Sequence, residues 1–457
     1  MNITVINASP KPEHASVTMR HVEFLKNNFK EHKFTEIPVA LKIRMIEHNR
    51  DYFSDIINTV NSSDIVLWAF PVYFYSIPGQ LKRFIEIVIE EEKTYAFSGK
   101  YSSVIATSAG IYDYPALDYI QATSEDFGME YFPGCSFKSL YHKDLLRKEV
   151  RDTFSAFFRR LILNAEDNKQ QIKKYPKIVN APQEFQPSDI PSPASEKNGK
   201  KLLVLTDQKN GSNLEKMVYY AVANSGFEHE TVNINDIDFR SGCIGCMQCQ
   251  FNGRCVIKDD VNGLFGKKIL TFDAVLFAIS MQDRHISARW KTLIDRTLFI
   301  AKKNVYRDIH SGFIVSGPAM QGGFVHEFLQ IYAGSRYFHD AGIVTDESGD
   351  SIEISANLVS LMHQLETSVV EKIQRPYLFH QRAYHMAMRE LIYINGLGSN
   401  TQKFYRKNGL FDYPNTTLKH IISRSMLNFF FTFPLTKKHF RKNINIISAN
   451  QYRKVTV

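Results

Sequence analysis

Ser63-Asp-Ile-Val-Leu-Trp-Ala-Phe-Pro-Val-Tyr-Phe-Tyr-Ser-Ile-Pro-Gly-Gln-Leu-Lys82 is the stretch on which the fold turns. Its apolar run from Ile65 to Phe70 has no polar alternation, which suits a strand covered on both faces, as in a parallel sheet. Pro71 and Pro78 then bracket an aromatic loop. Leu81, Phe84, Ile85 and Val88 follow at helical spacing. Working outward, residues 3–8 make a first short strand, and residues 103–107 make a third. The first strand runs into Ser9-Pro-Lys-Pro-Glu-His-Ala-Ser-Val-Thr18 and a helix carrying Val22, Phe24, Leu25 and Phe29. The third strand ends in Ser108-Ala-Gly-Ile-Tyr112. All three loops lie at the carboxyl ends of parallel strands, where open α/β sheets bind ligands. Hydroxyls at a helix start suit a phosphate, although Ser16 or Thr18 acting as a plain N-cap explains the first loop equally well.

Together the loops resemble the flavodoxin-like NAD(P)H-dependent FMN reductases and quinone reductases. Those proteins carry an S-P-[RK] phosphate loop and a P-V-Y-[FW]-x-S-[VI]-[SP]-[GA]-x-L-K flavin loop. Ser9-Pro10-Lys11 matches the first, and residues 71–82 match the second almost throughout. The resemblance implies that Ser9, Lys11, Ser16, Val17 and Thr18 hold the phosphate of FMN. It places Pro71, Val72, Tyr73 and Phe74 along the flavin ring, with Ser108, Ala109 and Gly110 on its other side. Tyr73, Tyr75 and Tyr112, with Asp113, then line the substrate pocket. Tyr75 stands where the family carries glycine, which narrows the expected rim. No residue stands out as a general acid.

The pattern restarts after a proline-rich linker at residues 179–199. Leu202–Leu205 repeats the first strand, and Asn210-Gly-Ser-Asn-Leu214 occupies the phosphate-loop position. Phe272-Asp-Ala-Val-Leu-Phe-Ala278 echoes residues 63–69, and Ile286-Ser-Ala-Arg-Trp-Lys291 echoes residues 77–82. A third-loop counterpart, Ser316-Gly-Pro-Ala319, follows a strand at 312–315. The expected architecture is therefore α/β: two flavodoxin-like, doubly wound parallel-sheet domains in tandem, at 1–178 and 200–370. A basic, mainly helical extension occupies 371–457. In the second copy the flavin loops are eroded, since Thr206-Asp-Gln208 replaces Ser-Pro-Lys and Ser280-Met-Gln-Asp-Arg-His285 replaces the aromatic loop, although Gly211-Ser-Asn213 survives and leaves a second FMN open. Arg284 and His285 suit either a bound phosphate or carboxylate, or a solvated loop.

What the second copy adds is Cys243-Ile-Gly-Cys246-Met-Gln-Cys249-Gln-Phe-Asn-Gly-Arg-Cys255. Four of the five cysteines fall here, and Cys135 stands apart. Clustered soft ligands select an iron–sulfur cluster, zinc or cuprous copper; the compact spacing is nearer to cluster-binding runs than to paired zinc ligands, and redox-active thiols stay open. With the trailing Lys258-Asp-Asp260, the run resembles the iron–sulfur flavoproteins, which implies a [4Fe–4S] cluster on Cys243, Cys246, Cys249 and Cys255. In that group one subunit's cluster approaches another's flavin, which a tandem chain achieves internally and a homo-oligomer achieves between chains. The expected chemistry passes electrons from NAD(P)H, or from a ferredoxin-like partner, to a small quinone, nitro or azo acceptor. An electron-transfer protein without its own substrate, or a zinc-braced domain, are the alternatives.

Composition sets the bounds. The apolar fraction is 44%, as in globular proteins. Met1-Asn-Ile-Thr-Val-Ile6 lacks the basic start of a signal peptide, no apolar run reaches the length of a membrane span, and the clustered cysteines make no disulfide framework, so a cytoplasmic setting is expected. The net charge of +9 is uneven: residues 372–457 carry +13, leaving −4 for the rest. An aromatic, basic tail suits peripheral contact with an anionic membrane, an acidic protein partner or a covering appendage. No nucleic-acid recognition motif appears.

Overall fold

The computed structural model describes all residues except 140–143, 179–183, 188–196, 301–304, 323, 375, 377, 396–398, 412–417 and 451–457. In the first domain, β1 (Asn2–Asn7), β2 (Lys33–Ile37), β3 (Ile65–Pro71), β4 (Tyr101–Ser108) and β5 (Glu130–Tyr131) form a sheet of order β2-β1-β3-β4-β5. β6 (Cys135–Lys138) also pairs with β4, and every pairing is parallel. The second domain repeats this order with β7 (Lys201–Thr206), β8 (Glu228–Asn233), β9 (Ala274–Gln282), β11 (His310–Ser316) and β12 (His339–Thr345). Among the described strands only β10 (His285–Ile286) runs antiparallel, as a hairpin on β9. β3 is buried along Ile65–Phe70 because its sheet is covered on both faces, which accounts for the unbroken apolar run. One cover centres on Trp68, Phe84 and Phe97, the other on Leu67, Phe154 and Phe158. Helix Lys148–Glu166 closes the domain.

The two domains meet through helices Gly79–Glu90 and Ala288–Asp295, the helices that follow the two aromatic-loop positions. Their contacts obey a pseudo-two-fold axis in which each residue's counterpart lies 209 positions away. The Gly79 amide donates to the Asp295 carboxylate at 2.8 Å, and the Ala288 amide donates to Glu86 at 2.7 Å. Lys82 Nζ reaches the Gln282 carbonyl at 2.9 Å, and Lys291 Nζ reaches that of Tyr73 at 2.9 Å. On the axis Ser76 Oγ meets its own counterpart, His285 Nε2, at 3.2 Å. This is the geometry of an isologous dimer interface, built inside one chain.

The tail is helical, as expected, and both it and part of the linker pack onto the domains. Of the linker, residues 184–187 and 197–199 are described, and Phe185 is fully buried against Tyr220 in the second core. The tail forms helices Phe379–Asn395, Ser399–Lys407, Leu418–Thr432 and Pro434–Asn450. The last of these packs on Glu13–Ala15, beside the first loop.

Candidate two-centre redox site

The three loops of the first domain converge because their backbones are tied to one another. Ser16 caps helix Val17–Asn28 by accepting from the Met19 amide at 3.2 Å. Thr18 and Thr107 share a buried hydroxyl contact at 2.6 Å, joining the first loop to the end of β4. The Val72 amide donates to the Thr107 carbonyl at 2.8 Å, joining the second loop to the same point. In the third loop, Gly110 sits at φ +76°, and its amide donates to Ser108 Oγ at 2.9 Å. Ser9, Ser16, Thr18 and Ser108 are all buried. The hydroxyls of Ser9, Ser16 and Thr18 and the helix start form a donor set that fits a phosphate ester, whereas Ser108 Oγ donates to the Asp113 carboxylate at 2.9 Å. Arg20, which the sequence pattern did not single out, is buried on that helix. It holds the His14 carbonyl at 3.3 Å and pairs with Glu23, while its Nε has no partner among the described residues.

The aromatic loop turns sharply at Phe74 and Tyr75, with φ of +39° and +65°, between the bridged residues Tyr73 and Ser76. This conformation explains the family's glycine at the Tyr75 position. Here Tyr75 lies only 6% exposed in the second domain's core, edge-on to Tyr112 and to Tyr384 of the tail. Tyr75 therefore plugs the domain interface, and Phe74 lies under the buried Arg336 guanidinium at 4.4 Å.

Against these loops lies the cysteine run. A Cβ on Gly245, which sits at φ +63°, would collide with Tyr73 Oη and come within 2.9 Å of Lys11 Cε. Gln80 Nε2 donates to the Cys243 carbonyl at 3.1 Å. Burial, reinforced by Cys243 and other nearby thiols, pushes the Tyr73 phenol well above its usual pKa. Burial lowers Lys11, an effect opposed by Cys243 and Cys246. Tyr73, Lys11 and Gln80 of one domain are thus packed on the cysteine loop of the other.

Arg296 fastens that loop at both ends. Its guanidinium forms two 2.8 Å bonds with the Asp259 carboxylate and one of 2.8 Å with the Ser241 carbonyl. Its Nε donates to Cys255 Sγ at 3.2 Å. Asp259 is the acid that trails the motif, and its pairing with Arg296 gives it a physical role. Burial pushes the Cys243 thiol up to about 12, with Asp295, Cys249 and Cys246 adding to the rise. Crowded, desolvated thiols of this kind ionise when a soft cation is there to take them. Among the described residues no three His, Cys, Asp or Glu side chains converge as ligands of a metal ion. The fit to a metal centre rests on the donor chemistry of the run.

The corresponding loops of the second domain are taken by the chain's own carboxylates. Asp207 accepts from the Ser280 amide at 2.7 Å, from Ser280 Oγ at 2.6 Å and from Ser287 Oγ at 3.0 Å. Asp346 accepts from Asn213 at 3.0 Å, Ser316 at 2.6 Å and the Gly317 amide at 2.9 Å. These donors come from the phosphate, aromatic and third-loop positions of the repeat. Arg284 is neither solvated nor left to an external anion, since Asp126 of the first domain engages it on two nitrogens.

Residues 1–154 match the flavodoxin-like fold family, and residues 201–340 match the NADPH-dependent FMN reductase family. The chain is a tandem of two flavodoxin-like domains. The tandem is 27% identical over 184 residues to an iron-sulfur flavoprotein of Archaeoglobus fulgidus, covering 38% of this chain and 80% of that protein. It is 26% identical over 143 residues to an iron-sulfur flavoprotein of Methanosarcina thermophila, covering 31% and 74%. Among solved structures, the NAD(P)H:(acceptor) oxidoreductase FerB of Paracoccus denitrificans aligns over 36% of this chain and 97% of its own. That alignment has 16% identity and a TM-score of 0.32.

Proposed function

We propose that this tandem flavodoxin-like protein is a flavin-dependent oxidoreductase with one FMN on the first domain's loops and a [4Fe–4S] cluster on Cys243, Cys246, Cys249 and Cys255. The observation that carries this reading is the packing of Gly245 against Tyr73 and Lys11, which sets the cysteine run on the flavin loops. The FMN reductase match and the iron-sulfur flavoprotein relatives support it. Together the two groups would supply conversion between two-electron and one-electron carriers. In this reading Ser9, Ser16 and Thr18 bind the phosphate, and Pro71, Val72, Tyr73 and Phe74 form the wall beside the ring. Ser108, Ala109 and Gly110 close its other side. Tyr73 keeps its proton and, packed on Gly245, joins the wall of the ring site to the cysteine loop. The donor is NAD(P)H or a reduced ferredoxin-like protein, and the acceptor a small quinone, nitro or azo compound. Ile244 and Val256, 44% and 42% exposed beside the cysteines, offer a protein donor an apolar landing.

Anaerobic purification with iron, sulfide, zinc and flavin quantified per chain tests the assignment. The expected result is one FMN with iron and sulfide in equal amounts, and no reconstituted iron in a Cys246→Ala, Cys249→Ala variant. Stoichiometric zinc in place of iron, or two FMN per chain, contradicts it.

A further inference from the structure

The helix Leu418–Thr432 turns a row of large apolar side chains to solvent. Leu418, Ile422, Met426 and Phe429 are 73%, 53%, 57% and 58% exposed, and Phe433, just beyond, is 49% exposed. Steps of four, four, three and four residues put them on one helix face. The opposite side is anchored, with Arg424 stacked 5.0 Å over Tyr393 and Asn428 reaching Gln402. The row is therefore a presented surface of a packed helix. Leu435, 84% exposed, extends it into helix Pro434–Asn450, where Lys438, His439 and Lys442 are exposed. From residue 413 to 457 the chain has eight Lys and Arg and no acid. No described helix is long and apolar enough to cross a membrane.

We infer that these two helices dock the protein on an anionic lipid surface. The apolar row enters the acyl boundary, and the acid-free basic segment engages the headgroups. Charge complementarity selects the partner, because an acid-free cationic segment beside bulky apolar side chains needs a surface that is both anionic and penetrable. An acidic protein offers the charge without a yielding apolar phase. Since helix Pro434–Asn450 also packs on Glu13–Ala15, docking would hold the first-domain loops near the lipid. The inference is independent of which cofactors those loops carry.

Co-sedimentation of the full chain with phosphatidylcholine vesicles, and with vesicles containing a quarter phosphatidylglycerol, tests this. Binding to the anionic vesicles is expected to be roughly tenfold or more tighter and to weaken with salt. Phe429→Ser, Phe433→Ser should reduce it by roughly tenfold, because the exposed rings are the part that inserts. Lys438→Gln, Lys442→Gln should also weaken it on anionic vesicles. An unchanged melting temperature in each variant confirms that the fold is intact, as expected for exposed positions. No binding to anionic vesicles overturns the inference. So does binding that depends on the lysines and not on the phenylalanines, the pattern of an acidic protein partner or plain electrostatic adsorption.

Discussion

Gly245 is one of the residues at which the two domains approach closely, and only glycine satisfies both its backbone and its neighbours. A side chain there faces a left-handed φ of +63° as well as Tyr73 and Lys11. Gly245→Val is expected to separate the cysteine loop from the flavin loops. The loss should appear as weaker FMN retention on gel filtration, and retention equal to wild type would contradict the contact. His21 governs a different property. Burial against Phe137 drops its pKa from 6.5 to about 4. The unfolded chain therefore takes up a proton at His21 before the folded chain does, and the associated stability is lost as pH falls from about 6.5 toward 4. The full shift corresponds to about 3 kcal/mol. Asp295 opposes this, since its folded carboxyl is raised to about 6; that group favours the folded state as pH falls toward its unfolded value near 4. Denaturation of His21→Phe at pH 7 and pH 5 should show a smaller acid loss than wild type.

At this scale the sequence was informative where chemistry is carried by residue type, as in the hydroxyls of the first loop and the cysteines. It was silent on Arg296 and Arg20, because an isolated arginine in a helix has no local signature. The tail's Tyr384 was equally hidden, since its partner Tyr75 lies some three hundred residues away in the chain. Tyr75 is visible in the sequence as a departure from glycine. Its burial in the opposite domain follows only from the turn and from what that turn faces.

Among the elements, the paired helices Gly79–Glu90 and Ala288–Asp295 carry the interface. Lys82 lies between the buried Glu86 and the partly buried Asp283, and Lys291 pairs with Asp295, both buried. Removing one partner strands a charge away from water. Lys291→Met should therefore cost about 3–5 kcal/mol in urea unfolding. A cost below about 1 kcal/mol would show that the network is not structural. The element order, the duplication and the placement of the loops were legible, since apolar runs and helical periodicity repeat at a fixed offset. What the second copy's eroded loops contain was not legible. Asp207 appeared as an acid at a phosphate position, and its three donors became evident only in three dimensions. Asp346, outside every loop motif, completes the same closure.

On the scale of the whole molecule, the tandem places one intact set of flavin loops and one cysteine run on either side of a shared interface. The isologous face is consumed within the chain, so any homo-oligomer must use another surface. The division of labour between the copies was expected from their complementary losses. The contact that gives it meaning, through Gly245, Tyr73, Lys11 and Gln80, required the structure. The central claim is that both centres belong to one site within one chain. Rapid-mixing reduction of the anaerobic, cofactor-loaded protein with limiting one-electron reductant, monitored at the cluster and flavin bands, tests it most directly. The account predicts that electrons pass from cluster to flavin at a rate independent of protein concentration. A rate that rises in proportion to concentration would place the exchange between molecules and contradict it.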